Sequence, residues 1–268
     1  MHQYPFQQKC VKHSLIPTKD RCFFLTVVAV NSNQNILRKF DEEMENLRNY
    51  VLKMGGLVEQ QIRRATDALK TLDDSEAEAV VLNDKYINEL EVSIDEECAR
   101  ILLRRQLASS DLRMVVTVIK TITDLERIGD EAEKIGRFAL KLANSHEPRS
   151  YYTDILHLGD TVIKMLHDSL NAFARKDIEM AVEIASRDPE VDQEFERLSR
   201  MLMTHMMEDP REIRDVLRIN WCARSLERVG DHSSNICEYV IYLVKGMDVR
   251  HISLEQIQER VGKNKHDR

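Results

Sequence analysis

Asp124-Leu125-Glu126-Arg127-Ile128-Gly129-Asp130 returns 101 residues later as Ser225-Leu226-Glu227-Arg228-Val229-Gly230-Asp231, and a repeat of that period governs how the rest of the chain is read. At the same offset Asp111-Leu112-Arg113 answers Glu212-Ile213-Arg214, so the register holds along a whole helix. Upstream, Asp84-Lys85-Tyr86-Ile87-Asn88 resembles Asp188-Pro189-Glu190-Val191-Asp192 at an offset of 104, which a three-residue change in one connection explains.

Outward from these stretches the apolar residues fall into three periodic segments per copy. They run over about 40–72, 75–107 and 111–142, then 152–174, 177–207 and 211–244. Val118, Ile122, Leu125, Ile128, Ala132, Ile135 and Ala139 recur three or four apart, the stripe by which a helix buries one face. The fold class is all-α: two tandem three-helix bundles related by an internal repeat. The expected division is an extension over 1–38, expected to be disordered, a first repeat over 39–145, a second over 149–246 and a polar tail over 247–268. Short connections make sequence neighbours antiparallel, so each repeat reads as up-down-up, with the segment from Asn144 to Ser150, containing Pro148, as the hinge.

The punctuation agrees. With only eight glycines and five prolines in 268 residues, helices of about thirty residues, roughly 45 Å long, meet few breakers. Asp209-Pro210-Arg211-Glu212 reads as a capping box opening the last helix, and Ser109 or Ser110 can cap its counterpart. The net charge of −7, with no run of Lys and Arg free of acids, disfavours a nucleic-acid partner. The five cysteines are scattered and odd in number, as in a reducing cytoplasm. The apolar run from Phe23 to Val30 is too short to span a bilayer and lacks a good cleavage site for a signal peptide, so no direct membrane insertion is expected.

The chemistry lies in the acids. Residues four apart stack on one helix side, so Glu126 with Asp130, and Glu227 with Asp231, form ladders at the edge of the apolar stripe. Asp84 with Asn88, and Asp188 with Asp192, do the same on the preceding segment. Where two ladders converge, crowded carboxylates repel one another and a bound cation relieves them. The second repeat is the purer case, since all four of its positions are acidic. Two bland readings compete: Lys134 stands one turn beyond Asp130 as an ion-pair partner, and Asp188, before Pro189, can equally be a helix cap. Gly129 and Gly230 cost about 1 kcal/mol each against alanine inside a helix, and close helix approach beside the acids is the simplest use for them.

Other constellations carry less. No ExxH, HExxH, GxxxxGK[ST] or GxGxxG occurs, so di-iron, zinc-protease and nucleotide signatures are absent. His167, His205 and His232 read as core or surface residues, Asp154 with His157 as a lone pair on the surface, Met201, Met203, Met206 and Met207 as core filling or a partner surface, and Trp221 as a core anchor.

Met54-Gly55-Gly56-Leu57-Val58, Ile94-Asp95-Glu96-Glu97-Cys98, Arg104-Arg105-Gln106, Ser110-Asp111-Leu112-Arg113 and the doubled LER[IV]GD resemble the PhoU family from about Phe40 to Met247. The resemblance implies paired three-helix bundles with approximate two-fold symmetry and no reaction of their own. It implies negative regulation of phosphate uptake and of phosphate-starvation genes, by coupling the phosphate ABC transporter and its ATPase to a phosphate-sensing histidine kinase. It also implies multinuclear metal at E(D)xxxD pairs, here Asp84 with Asn88, Glu126 with Asp130, Asp188 with Asp192, and Glu227 with Asp231. Iron, zinc, manganese and magnesium are the candidate ions. Asn88 departs from the acidic pattern, although Glu91 could lend a carboxylate. A homodimer, located in the cytoplasm and at the inner membrane only through partners, is expected. The alternatives are a metal-dependent phosphate-ester hydrolase and a metal-free helical scaffold.

Overall fold

Leu72 and Lys176 both take φ of 53°, a left-handed conformation that costs a non-glycine residue about 1 kcal/mol or more. They stand 104 residues apart, and each is followed by an aspartate that caps the next helix. Asp73 accepts from the Ser75 and Glu76 amides, and Asp177 accepts from Met180 N–H. The same sharp turn thus closes the first helix of each repeat and opens the second.

The computed structural model describes residues 18–143, 151–250, 252 and 256–257. Helices α1 (Thr18–Thr71), α2 (Asp74–Arg104) and α3 (Ser109–Leu142) form the first repeat. Helices α4 (Tyr151–Arg175), α5 (Ile178–Ala185), α6 (Asp188–Glu208) and α7 (Ile213–Lys245) form the second. Among the described residues there is no strand, and no helix is long and apolar enough to cross a membrane. The chain divides into two compact units, one ending at Glu43 and the other beginning at Met44; within the first, α1 is already helical from Thr18, well ahead of the expected start near Phe40. Residues 144–150, read as a hinge, lie outside the described residues. In the stretch set apart as a polar tail, Val249 and Ile257 are buried.

Within the larger unit the bundles are antiparallel as the short connections require. Arg64 pairs with Glu76 across α1 and α2, and the Gln61 amide donates to Val80 C=O. Gly136 abuts Val80 and Ala77 across α3 and α2. The second repeat departs in its middle segment, which was expected to be one helix. Pro189 has no N–H and its ring collides with the carbonyl of residue 185, so the helix breaks at Ser186-Arg187, with the Arg187 amide turning to Ile184 C=O at 3.0 Å. This also corrects the cap reading of Asp188, because Arg187 holds the cap position and Asp188 is already helical. At the head of α7 Asp209 caps only a 3₁₀ turn, Pro210–Glu212, through Arg211 N–H. Ser109 and Ser110 are not caps either: Ala108 holds that position, with no side-chain cap bond.

The two repeats pack helix to helix. Between α1 and α4, Gly55 admits Leu170, Glu59 bonds His167 at 3.0 Å, and Gly159 sits against Thr66. A Cβ on Gly159 would stand 2.7 Å from Thr66 Cγ2, and the Thr66 hydroxyl is held by Ile62 C=O at 2.9 Å. Gly159→Ala should therefore lower stability by about 1–2 kcal/mol, despite the roughly 1 kcal/mol that alanine contributes over glycine in a helix. Thermal unfolding would register a drop of a few degrees, partly recovered by Thr66→Ser, which removes the obstructing methyl. An unchanged melting temperature would show that Thr66 yields at no greater cost than the helix propensity that alanine adds.

Trp221 is 49% exposed, lying on Phe138 with ring centroids 5.3 Å apart, so it is not the core anchor its rarity suggested. Met203 and Met207 are likewise exposed, which excludes core filling for them. Their side of α6 lies away from the apolar seam of Val191, Leu198 and Leu202. Cys98, Cys222 and Cys237 are buried free thiols.

Candidate metal centre

The carboxylates of the second repeat meet where α6 crosses α7. Gly230 permits that approach: a Cβ there would lie 3.1 Å from Val191 Cγ1. One oxygen from each of Asp192, Glu227 and Asp231 lies within 4.8 Å of the other two, the only such trio of candidate ligand residues among those described. Glu227 is buried; Asp192 and Asp231 are exposed, so the trio is anchored inside and open to water on one side.

Its electrostatics are those of a crowded set. Burial, then the Asp231 charge, pushes Glu227 up to about 7. Burial, then Asp231 and Asp192, pushes Asp188 up to about 6. Asp231 is also raised, by burial and by Asp192. Asp188 feels the trio but stays outside it, lining a small cavity with Ser234 and Glu238. Arg224, which lies off the four-residue ladder, donates to Glu227 Oε1 at 2.7 Å. Its signal was local, three residues ahead on the same helix. The second oxygen, Oε2, is buried without a partner. An orphaned carboxylate oxygen beside two further carboxylates is a poor arrangement for protein alone and a good donor set for a hard cation. The residues fit a metal.

The first repeat is built alike but is looser. Gly129 brings α3 onto α2, where a Cβ would meet Ile87 at 3.1 Å and Asp84 Oδ1 at 3.3 Å. The Asn88 amide donates to Asp84 Oδ2 at 3.0 Å, leaving Asp84 Oδ1 and Asn88 Oδ1 buried without partners. Burial and Asp130 raise Asp84, while burial, Asp130 and Glu91 raise Glu126. Glu91, itself raised mainly by burial, thus faces Glu126. These groups feel one another without closing into a trio like that of the second repeat. Lys134 does not neutralise Asp130: it pairs with Glu131 at 3.0 Å.

A polar seam, which no four-residue spacing within one helix could reveal, joins the repeats. α3 and α7 run antiparallel, with Arg113 near Leu243, Lys120 over Tyr239 and Tyr242, and Arg218 near Lys141. Midway, Asp124, 1% exposed, bonds buried His232 Nδ1 at 2.8 Å. Glu131, 2% exposed, pairs with Arg228 at 3.1 Å. His232 is therefore a core histidine joining the bundles.

The PhoU domain matches residues 51–139 and again 155–240. The chain is 48% identical over 231 residues to the Pseudomonas aeruginosa protein named phosphate-specific transport system accessory protein PhoU homolog, covering 86% of this chain and 96% of that one. It is 47% identical over 232 residues to the Escherichia coli protein named phosphate-specific transport system accessory protein PhoU, covering 86% and 95%. Among solved structures, PhoU from P. aeruginosa aligns with a TM-score of 0.76 at 49% identity, over 78% of this chain and 100% of that one. The phosphate transport system regulatory protein PhoU from Streptococcus pneumoniae aligns with a TM-score of 0.72 at 32% identity, over 78% and 99%.

Proposed function

The chain belongs to the PhoU family, and on that premise we propose that it is a negative regulator of phosphate uptake and of the phosphate-starvation regulon. It acts as an adaptor between the ATPase of the phosphate ABC transporter and a phosphate-sensing histidine kinase. When phosphate is plentiful it holds the kinase in its phosphatase-favouring state and restrains the transporter. Such bias requires different affinity for the two states of each partner. The observation that supports this reading most is the PhoU domain occurring twice, at 51–139 and 155–240, in a chain whose relatives are named for phosphate-specific transport. The protein works in the cytoplasm, reaches the inner membrane through its partners, and assembles as a homodimer.

Asp192, Glu227 and Asp231 would hold a divalent cation or a cluster, with Asp188 beside them. Iron, zinc, manganese and magnesium suit an all-oxygen donor set to different degrees, with the harder ions favoured. The ion would offset the mutual repulsion of the carboxylates and tie α6 to α7.

Deleting the gene should leave phosphate-responsive genes expressed in rich phosphate, and the tagged protein should retain the transporter ATPase and the kinase in a pull-down. A silent reporter together with an empty pull-down would sink the adaptor reading. Turnover of phosphate esters by the metal-loaded protein, lost on Glu227→Gln, would move the function to the hydrolase alternative.

A further inference from the structure

The chain is acidic overall, at −7, yet one cleft reverses that sign. It opens where the last turns of α3 meet the 3₁₀ turn and the first turns of α7, and it is lined by Arg137, Lys141, Arg211, Arg214 and Arg218, with Asp215 the only acid among the described residues of its wall. Three of the cations are partly neutralised and held in place. Arg137 pairs with Glu133 at 2.5 Å, Arg211 with Asp209 at 2.9 Å, and Arg218 with Asp215 at 2.9 Å. Arg218 also donates to Lys141 C=O at 2.9 Å, which fixes its guanidinium between the two walls. Among the described residues, Arg214 has no ion pair, and Lys141 has only the Phe138 ring, at 5.5 Å.

The basicity is not inherited from the repeat. At the 101-residue offset, Arg211, Asp215 and Arg218 correspond to Ser110, Met114 and Thr117, and Arg137 corresponds to Glu238. Only Arg214 is matched, by Arg113, and Arg113 turns to Leu243 C=O. A structural need of the bundle ends would have kept the charge at both; one end alone concentrates it.

We propose that this cleft binds a small polyanion carrying two or more phosphoryl groups. Arginine forks suit tetrahedral and planar oxyanions by paired hydrogen bonds. The cavity, about 780 Å³, is of the size that holds drug-sized ligands, far more room than a single orthophosphate fills. Because the walls come from the two repeats, the ligand would clamp α3 to α7.

Inorganic tripolyphosphate and ATP are the probes, titrated into the full-length protein with excess EDTA so that no route runs through a cation at the acidic trio. Trp221, the only tryptophan, lies three residues beyond Arg218 and packs at a tilt against Phe138, so its fluorescence reports binding, with calorimetry as the second readout. One saturable site is expected, weakened about tenfold or more by Arg214→Glu on one wall and by Lys141→Glu on the other. Affinity should fall between roughly 50 and 200 mM salt, and orthophosphate should bind at least about tenfold more weakly. Lys85→Glu, the same charge change at an exposed residue on α2, should leave affinity unchanged. Three results would each overturn the proposal: no saturation by about 1 mM probe at low salt, equal loss in the Lys85 control, or orthophosphate binding as tightly as tripolyphosphate. The regulatory role does not enter this measurement, so either can fail without the other.

Discussion

Glu227→Gln combined with Asp231→Asn should abolish tight divalent-cation binding. Both replacements keep size and remove charge, so the α6–α7 packing around Gly230 stays intact while two of the three converging carboxylates lose their donor strength. Loss of an outer-shell partner alone typically costs ten- to a hundredfold in metal affinity, so loss of two ligands should exceed about a hundredfold. Elemental analysis of protein purified without chelator, followed by calorimetric titration with Mn, Fe, Zn and Mg, measures it. Equal metal content in the variant and the parent would exclude this trio as the site.

A pH signature accompanies the loss. In chelator, Glu227 at about 7 and Asp188 at about 6 bind protons better folded than unfolded. Their contribution to stability is thus fully present below the unfolded carboxylate range, near pH 4, and is lost as pH rises through 6 to 7. A decline of roughly 1–3 kcal/mol is expected across that window. Glu227→Gln should shrink it. Saturating metal should reverse it, because the ligating form is the deprotonated one. A metal-free protein whose stability is flat from pH 4.5 to about 7.5 would contradict the crowding that burial and repulsion imply.

Asp124→Ala should destabilise the whole larger unit, not one bundle. Asp124 accepts from His232 at 2.8 Å and lies 3.4 Å from the Asn235 amide and 3.6 Å from Arg127. Removing it leaves His232 buried with neither ring nitrogen partnered, since Nε2 already has none. Truncating one side of such a buried pair costs about 2–4 kcal/mol, a melting-temperature drop on the order of ten degrees for a domain of this size. Asp124→Asn, which keeps an acceptor, should recover part of it. A single cooperative transition shifted downward is the expected trace; two separated transitions would mean that the bundles unfold independently.

The repeat and the helix period made most of the fold legible, because both are carried by apolar spacing that a reader can count. The acidic ladders were legible for the same reason: four residues apart is a geometric statement within one helix. What was missed depends on neighbours remote in sequence or on a local compromise. Lys134 turned to Glu131 is a choice between acids three and four residues back that spacing leaves open, and Arg224 reaches Glu227 three residues on, outside the four-residue ladder. Trp221 on the surface answers to Phe138 on another helix. Pro189 announced a disturbance but not its form, since a cap, a kink and a break all follow from a missing amide. Asp124 with His232 was invisible to the repeat itself, whose register sets Ser225 against Asp124 and His232 against Glu131.

That mismatch bears on how the molecule could have come about. Two identical halves joined through this antiparallel face would form an isologous contact, in which whatever one side offers it must also receive. A histidine that needs an aspartate opposite would then appear twice, as would any error. Once both halves lie on one chain that constraint is gone, and Asp124 can keep its histidine while Glu131 takes an arginine. The seam is therefore where the two copies have become non-interchangeable, and exchanging the third helices of the repeats would be refused there first.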